Sequence, residues 1–101
     1  MSMEEGDKLA QSVQKEGHPR VTLGELESKV KSEQYFSPTF APHVTMCALE
    51  LENGYVLQGM SAPADPANFD ATVGRKFARE DALRKLWPLE GYLLREKLHN
   101  A

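Results

Sequence analysis

The chain has 101 residues, of which 41% are hydrophobic and 27% are charged, and its formal net charge is −3. These values fit one small soluble domain and leave little room for a second. No apolar run reaches about 18 residues, so the sequence predicts no membrane-spanning helix. Because Met1 to Lys15 lacks the apolar core of a secretory signal, we expect a cytoplasmic protein. The single cysteine, Cys47, excludes an internal disulfide and a cysteine-based zinc site.

The charge is divided unevenly along the chain. Residues 1–70 hold five Lys and Arg against eleven Asp and Glu, whereas residues 71–101 hold seven against four. The C-terminal third is therefore the basic part of an acidic protein. Its basic surface is too narrow for a typical protein that binds nucleic-acid polymers, but it leaves room for a local site that binds a small anion.

The N-terminal part contains one clear helix signal. Residues 1–20 are polar and contain two glycines and a proline, so we expect a flexible tail with a frayed helix or disorder. Residues 21–101 are predicted to form a single α+β domain. A capping box from Thr22 to Glu25 predicts a short amphipathic helix over about residues 23–31.

A β-hairpin is predicted in the middle of the chain, over about residues 43–59. Two runs of alternating apolar residues flank Asn53-Gly54, and this dipeptide is the strongest short-range signal for a hairpin. We expect a type I′ turn, in which both central residues have positive φ. Gly59 is expected to weaken or bulge the end of the second strand.

The C-terminal part is predicted to be helical from Pro66, with Asp65 as the capping residue. Pro88 is expected to break this pattern after Leu86 or Trp87, which gives two helices over about residues 66–86 and 89–99. The predicted fold class is α+β: a small antiparallel sheet built on the hairpin, a short N-terminal helix, and two C-terminal helices broken at Pro88.

The longer helix has two apolar faces at 100° per residue. One face carries large side chains, namely Val73, Phe77, Leu83 and Trp87. The other carries mostly small ones, namely Ala78, Ala82 and Leu86. A surface helix of a monomer usually has one apolar stripe, so we predict a homo-oligomer that assembles through the second face or through the C-terminal helix. Packing within one chain is the alternative.

Candidate ligand groups are concentrated between Ser61 and Arg84. The amide of Asn68 can read the edge of a base or ribose, and Phe69 offers a stacking surface at the start of a basic helix. Arg75 and Arg79 can supply positive charge to phosphates. Two structural interpretations stay open: in the first, Asn68 and Phe69 only pack the first helical turn, and in the second, the arginines on the helix only snorkel to water or pair with acids.

The sequence offers no case for an enzyme, a metal site or a cofactor. The three histidines are widely spaced, and the glycines are isolated rather than arranged in a phosphate-binding loop. His43 and Cys47 would lie about 13 Å apart along a strand, which is too far for proton transfer. Glu80 and Asp81 point about 100° apart on a helix and form no acid/base pair.

An ordered set of motifs runs from Leu49 to Leu98: Leu51-Glu52-Asn53-Gly54, Asn68-Phe69-Asp70, Ala78-Arg79-Glu80-Asp81-Ala82 and Trp87-Pro88-Leu89-Glu90-Gly91-Tyr92. This half of the chain resembles a family of small tailed-phage and prophage proteins of mostly unknown function. The small size, the hairpin followed by helices and the Pro-x-Asn-Phe segment also resemble phage anti-defence sponges of the Thoeris type.

The second resemblance implies a non-catalytic phage protein in the cytoplasm of the infected or lysogenic host. Such proteins form homo-oligomers and sequester cyclic nucleotide signals, either cyclic ADP-ribose isomers or cyclic oligonucleotides. The candidate ligand-binding residues within the matching segment are Asn68, Phe69, Arg75, Arg79, Asp81 and Arg84. The alternative is a small phage effector that binds and redirects a host protein and has no small-molecule ligand.

Overall fold

A computed structural model describes all 101 residues as four α-helices, one 3-10 turn and three strands. The elements are α1 (Met3–Val13), α2 (Leu23–Ser28), β1 (Val30–Phe36), β2 (Thr45–Leu51), β3 (Val56–Ser61), the 3-10 turn (Pro66–Asn68), α3 (Ala71–Arg84) and α4 (Leu86–His99). The sheet is antiparallel with strand order β1-β2-β3. The predicted α+β fold class is confirmed. None of the helices is long and apolar enough to cross a membrane.

Helix α1 occupies the segment in which the sequence favours a frayed helix or disorder. The hydroxyl of Ser2 accepts a hydrogen bond from the Glu5 N–H and donates one to the Glu5 carboxylate, both at 3.1 Å. This reciprocal cap stabilises the first turn, and Met3 is buried beneath it. The Ser-x-x-Glu pattern is a local signal for this helix. The flexibility of residues 1–20 stays a prediction.

Helix α2 begins at its predicted cap but is shorter than expected. The Thr22 hydroxyl accepts a hydrogen bond from the Glu25 N–H at 3.1 Å. The helix ends at Ser28 rather than near residue 31, because the chain from Val30 onward pairs with β2. Pairing with a neighbouring strand therefore overrides the local helical pattern at these residues.

Strands β2 and β3 form the predicted hairpin, with a different turn. Only Gly54 has a positive φ, at +89°, so the expected positive φ at Asn53 is wrong. The Gly54 N–H donates to the Leu51 carbonyl and the Leu51 N–H donates to the Tyr55 carbonyl, both at 2.9 Å. This pattern is typical of a tight turn closed by a glycine bulge, which needs only one residue in the left-handed region.

Gly59 does not bulge its strand, contrary to expectation. It pairs regularly with Cys47, and β3 continues to Ser61. A Cβ atom on Gly59 would lie 2.3 Å from the Ala78 carbonyl oxygen and 2.3 Å from the Ala82 nitrogen. The absent side chain therefore lets the backbone of α3 lie directly against β3.

The small-residue face of α3 packs on the sheet. Ala78 and Ala82 are fully buried and Leu86 is nearly so, in one core with the inward side chains of β2 and β3. Intrachain packing thus covers the face through which the sequence predicts assembly, so that location for a subunit interface is wrong. Self-association through another surface stays a prediction. The opposite face is open, with Val73 and Phe77 both exposed.

The two C-terminal helices are separated at Lys85, earlier than expected. Pro88 is the third residue of α4, and in a continuous helix its ring would clash with the Arg84 carbonyl while leaving that carbonyl without a donor. The first helix therefore ends at Arg84, and the proline lies in a first turn, where its missing N–H costs no helical bond.

The start of α3 is also later than expected. The Asp65 carboxylate accepts a hydrogen bond from the Ala67 N–H at 3.0 Å, but it caps only the 3-10 turn. The Asp70 carboxylate accepts from the Val73 N–H at 2.9 Å and caps α3. Because Phe69 and Asp70 have extended backbones, the helix begins at Ala71 rather than at residue 66.

The molecule is flat and elongated, with extents of 51 × 30 × 16 Å. Its radius of gyration is 16.0 Å, whereas a compact chain of this length has about 13 Å. Helix α3 covers one face of the sheet and leaves Phe36 and Met60 exposed on the other. Only Leu86 of α4 is buried, so this helix presents apolar side chains such as Tyr92 and Leu93 to solvent.

Candidate functional site

The six residues predicted to bind a ligand do not form one site. Asn68 ends the 3-10 turn and Phe69 follows it, whereas the other four lie around the circumference of α3. Those four are Arg75, Arg79, Asp81 and Arg84. Arg79, Asp81 and Arg84 each make hydrogen bonds to a different set of residues elsewhere in the chain. Arg75 is exposed and makes no ion pair or side-chain hydrogen bond.

Asn68 and Phe69 line a small cleft at the start of α3. The cleft encloses about 230 Å³, and Pro63, Val73 and Phe77 form its apolar wall. Its ionisable group is the Asp70 carboxylate, and no Lys or Arg lines it. The cleft therefore suits an aromatic or apolar group and lacks the positive charge that a phosphate needs.

Arg79 connects three elements of the fold. Its Nη1 and Nη2 atoms donate to the two carboxylate oxygens of Glu27 at 3.0 and 2.7 Å, and its Nε donates to Glu33 at 2.6 Å. The bidentate bond to Glu27 is the main cause that raises the pKa of Arg79 above its ordinary value. A ligand would have to share this guanidinium with two carboxylates that hold α3 against α2 and β1.

Tyr35 and Cys47 lie beside this ion cluster and are held in their neutral forms. Burial is the main cause that raises the pKa of Tyr35 to about 12, and the nearby Cys47 and Glu33 add to the shift. Burial likewise raises the pKa of Cys47, whose side chain is almost fully enclosed. A thiol that stays protonated is a poor nucleophile, and the Cys47 side chain is packed within the hydrophobic core.

Asp81 contacts the outer edge of the sheet. Its carboxylate accepts a hydrogen bond from the Met60 N–H at 3.0 Å, and Lys85, one turn later, donates to the Gln58 carbonyl. Both peptide groups belong to β3, which is an edge strand. The predicted ligand residue Asp81 therefore satisfies a backbone donor of its own chain.

Arg84 lies on the wall of a larger cavity of about 440 Å³ between α1 and the corner where α3 meets α4. One of its nitrogens, Nη2, donates to the Glu80 carboxylate at 2.8 Å and to the Met1 carbonyl at 3.1 Å. Arg20 and the Trp87 indole line the same cavity. Two guanidinium groups and an indole are the side chains that bind phosphates and stack on aromatic rings.

The sequence pattern did not single out Arg20 or assign Trp87 to a ligand. Arg20 lies in the segment predicted as a flexible tail, and its pairing with Asp7 spans 13 positions. The capping box at Ser2 is the signal that would have found α1, which forms the other wall of this cavity. The sequence marks Trp87 as one of the large apolar side chains, at the predicted helix break and in the motif from Trp87 to Tyr92.

A third concave surface lies between the hairpin and α4. This groove encloses about 410 Å³ and is lined by apolar and tyrosine side chains, namely Leu51, Tyr55, Leu86, Leu89, Tyr92 and Leu93. Its basic residue, Lys29, pairs with Glu90 at 3.5 Å. The groove is thus suited to an apolar protein surface rather than to a polyphosphate.

Comparison with known proteins gives one family. The model of the phage protein (N4 Gp49/phage Sf6 gene 66) family matches residues 21–98. The chain belongs to this phage protein family. No curated protein and no solved structure matches it. The matched segment contains the sheet, α3 and most of α4, whereas α1 and Arg20 lie outside it.

Proposed function

We propose that this phage protein is a non-catalytic binding protein that sequesters a host cyclic nucleotide immune signal and thereby counteracts antiphage defence. The ligand would be a cyclic ADP-ribose isomer or a cyclic oligonucleotide, captured in the cytoplasm of the infected or lysogenic host. The observation that carries the proposal is the cavity lined by Arg20, Arg84 and Trp87. Its volume of about 440 Å³ falls within the range of roughly 300–1,000 Å³ that is usual for small-molecule sites.

The test is titration calorimetry of the purified protein with cyclic ADP-ribose isomers and with cyclic di- and trinucleotides. We expect micromolar or tighter binding of at least one of them. Arg84→Ala should weaken that binding about tenfold or more, because it removes charge-assisted hydrogen bonds to phosphate. The matched control is Arg95→Ala on the exposed side of α4, which should bind as the wild type does. Absence of micromolar binding by every compound would refute the proposal.

The same titration distinguishes the two clefts. If Asn68→Ala and Phe69→Ala weaken binding while Arg84→Ala does not, the ligand occupies the smaller cleft at the start of α3. Arg75 and Asp81 enter the comparison as predicted ligand residues that line neither cleft.

Self-association is part of the proposal, supported by the exposed apolar side chains of α4 and the outer sheet face. Light scattering that finds a strict monomer at high micromolar concentration would contradict it.

The second candidate function is a small phage effector that binds a host protein without a small-molecule ligand. The groove between the hairpin and α4 favours it, because exposed Tyr92 and Leu93 at its rim form an apolar patch. In a pull-down from host lysate, a stoichiometric partner that is lost with Leu93→Glu and kept with Arg84→Ala would support this function. A partner unaffected by Leu93→Glu would argue against it.

A further inference from the structure

Helix α1 is attached to the rest of the molecule by few apolar contacts. Of its eleven residues only Met3 is buried, whereas Leu9 and Val13 are 55% and 78% exposed. One wall of the Arg20–Arg84–Trp87 cavity is formed by α1 itself, so the volume of about 440 Å³ describes the site with α1 in place. The side chains of Arg20, Arg84 and Trp87 belong to other segments and stay together when α1 moves.

Because little apolar area is buried, polar contacts decide whether α1 stays in place. Arg20 Nε donates to the amide oxygen of Gln14, the C-cap residue of α1, at 2.9 Å, and two further contacts involve oxygen atoms of Asp7 and Met1.

The first of these two further contacts is centred on Asp7. A single carboxylate oxygen of Asp7 accepts hydrogen bonds from Arg20 Nη1 and from the Leu23 N–H, both at 2.9 Å. The Arg20 side chain is only 17% exposed and the Asp7 side chain 23% exposed. Asp7 thus places a carboxylate on one of the two arginines of the cavity.

The second of them is made by the first residue of the chain. The Met1 carbonyl oxygen accepts a hydrogen bond from Arg84 Nη2 at 3.1 Å. Both cations of the cavity are therefore in contact with oxygen atoms from the α1 segment. An anionic ligand with two phosphates would need the same guanidinium groups, so it and α1 compete for them.

We propose that α1 is a displaceable cover, latched by the Asp7–Arg20 pair, which an anionic ligand opens by taking Arg20 and Arg84 from the oxygens of Asp7 and Met1. The ligand that opens the cover is a compound with two phosphates. The cover regulates the same site as the proposed function, and the identity of the natural ligand rests on that proposed function. Residues 1–20, which form α1 and carry both Asp7 and Arg20, lie outside the segment that the family model matches.

The cover makes a reciprocal prediction. A ligand that binds the open form must favour opening, and any change that favours opening must strengthen ligand binding. Asp7→Asn breaks the ion pair but keeps Arg20 available, so it should both open α1 and strengthen binding roughly fivefold or more. Arg20→Gln also breaks the ion pair but removes a cation, so it should open α1 and weaken binding.

The test uses inorganic pyrophosphate as the probe, so its outcome does not depend on which signal the protein captures. Hydrogen exchange of the α1 amides is measured in the full chain with and without pyrophosphate, and affinity is measured by calorimetry. Glu16→Gln is the matched control, because it removes one negative charge from an exposed side chain that makes no hydrogen bond. Circular dichroism verifies that each variant keeps its fold.

In the wild type, we expect pyrophosphate to speed the exchange of the α1 amides. Without pyrophosphate, Asp7→Asn and Arg20→Gln should both show faster α1 exchange than the wild type. The affinity for pyrophosphate should rise in Asp7→Asn and fall in Arg20→Gln. Glu16→Gln should match the wild type. Unchanged α1 exchange in wild type at saturating or millimolar pyrophosphate would overturn the proposal. So would affinity changes of the same sign in Asp7→Asn and Arg20→Gln, because that result fits a helix with a purely structural role. Failure of the cyclic nucleotides to bind would refute only the proposed function.

Discussion

The layer formed by the sheet and α3 differs sharply in packing from helices α1 and α4. In the first region Leu49, Ala78 and Ala82 are completely buried, and a glycine in β3 brings two backbones into direct contact. In the second region each helix buries a single residue, Met3 in α1 and Leu86 in α4. The stability of this small chain therefore depends on one layer, and its remaining apolar surface is available for binding.

This division matches the range of local stabilities found within single proteins. Elements with many buried apolar contacts open only with global unfolding, whereas elements with few such contacts open locally at much lower free energy. Ligand-binding covers are drawn from the second class. The contrast between the two regions can be tested by substitutions that act on one and leave the other unchanged.

The largest effect is expected at the contact between β3 and α3. Gly59→Ala places a Cβ atom against the backbone of Ala78 and Ala82, so it should lower the free energy of unfolding by about 3 kcal/mol or more. Gly91→Ala in α4 is the matched control: no atom lies within 4 Å of the added Cβ, and it should raise that free energy by about 0.5–1 kcal/mol. Chemical denaturation measures both. Equal midpoints for Gly59→Ala and wild type would contradict the close contact.

A smaller loss is expected when the ion cluster beneath α3 is broken. Arg79→Ala removes three charge-assisted hydrogen bonds and leaves Glu27 and Glu33 without their shared cation. Because all three side chains are partly exposed, we expect a loss of about 1–2 kcal/mol in the free energy of unfolding. Arg75→Ala, an exposed arginine on the same helix, should change it by less than about 0.5 kcal/mol. Similar values for the two variants would show that the cluster contributes little.

The smallest effect concerns the attachment of α1 and depends on pH. The Leu23 N–H and the Arg20 guanidinium hold the pKa of Asp7 below its ordinary value. A carboxylate with a lowered pKa stabilises the folded state above its unfolded pKa of about 4, and this contribution is lost as pH falls below that value. The protection factors of the α1 amides, which correct for the slower intrinsic exchange at low pH, should therefore fall on acidification while those of the sheet stay high. In Asp7→Asn the protection factors of the α1 amides should be low already at neutral pH and should not change on acidification in this range.

Local signals in the sequence predicted most of the fold. The cap at Thr22 and the hairpin at Asn53-Gly54 depend on neighbouring residues, and both formed close to their predicted positions. The predicted cap at Asp65 formed too, but on a 3-10 turn, and the long helix is capped by Asp70 instead. Long-range contacts caused the differences. Pairing with β2 ended α2 early, and only the approach of α3 from 19 positions away explains why residue 59 is a glycine.

The candidate site was less predictable for the same reason. The sequence predicts Arg79 as a positively charged residue on a helix, but it does not indicate its carboxylate partners, Glu33 and Glu27, which lie 46 and 52 positions away. The sequence predicts Arg84 as a ligand residue. It gives no such prediction for Arg20, which lines the same cavity, because Arg20 belongs to a segment without an apolar pattern. A single sequence shows which side chains carry charge, but the pairing that occupies or frees that charge depends on tertiary structure.

The contacts of Asp81 and Lys85 at the edge of β3 have a consequence for how this protein behaves at high concentration. An edge strand with free peptide groups is a template for strand addition and aggregation. Here the side chains of Asp81 in α3 and of Lys85, which follows α3, already occupy the Met60 N–H and the Gln58 carbonyl. Under the proposed function the protein captures its signal without turning it over, so it must be present in amounts that match the signal. Protection of this edge suits a protein that has to accumulate without forming fibres.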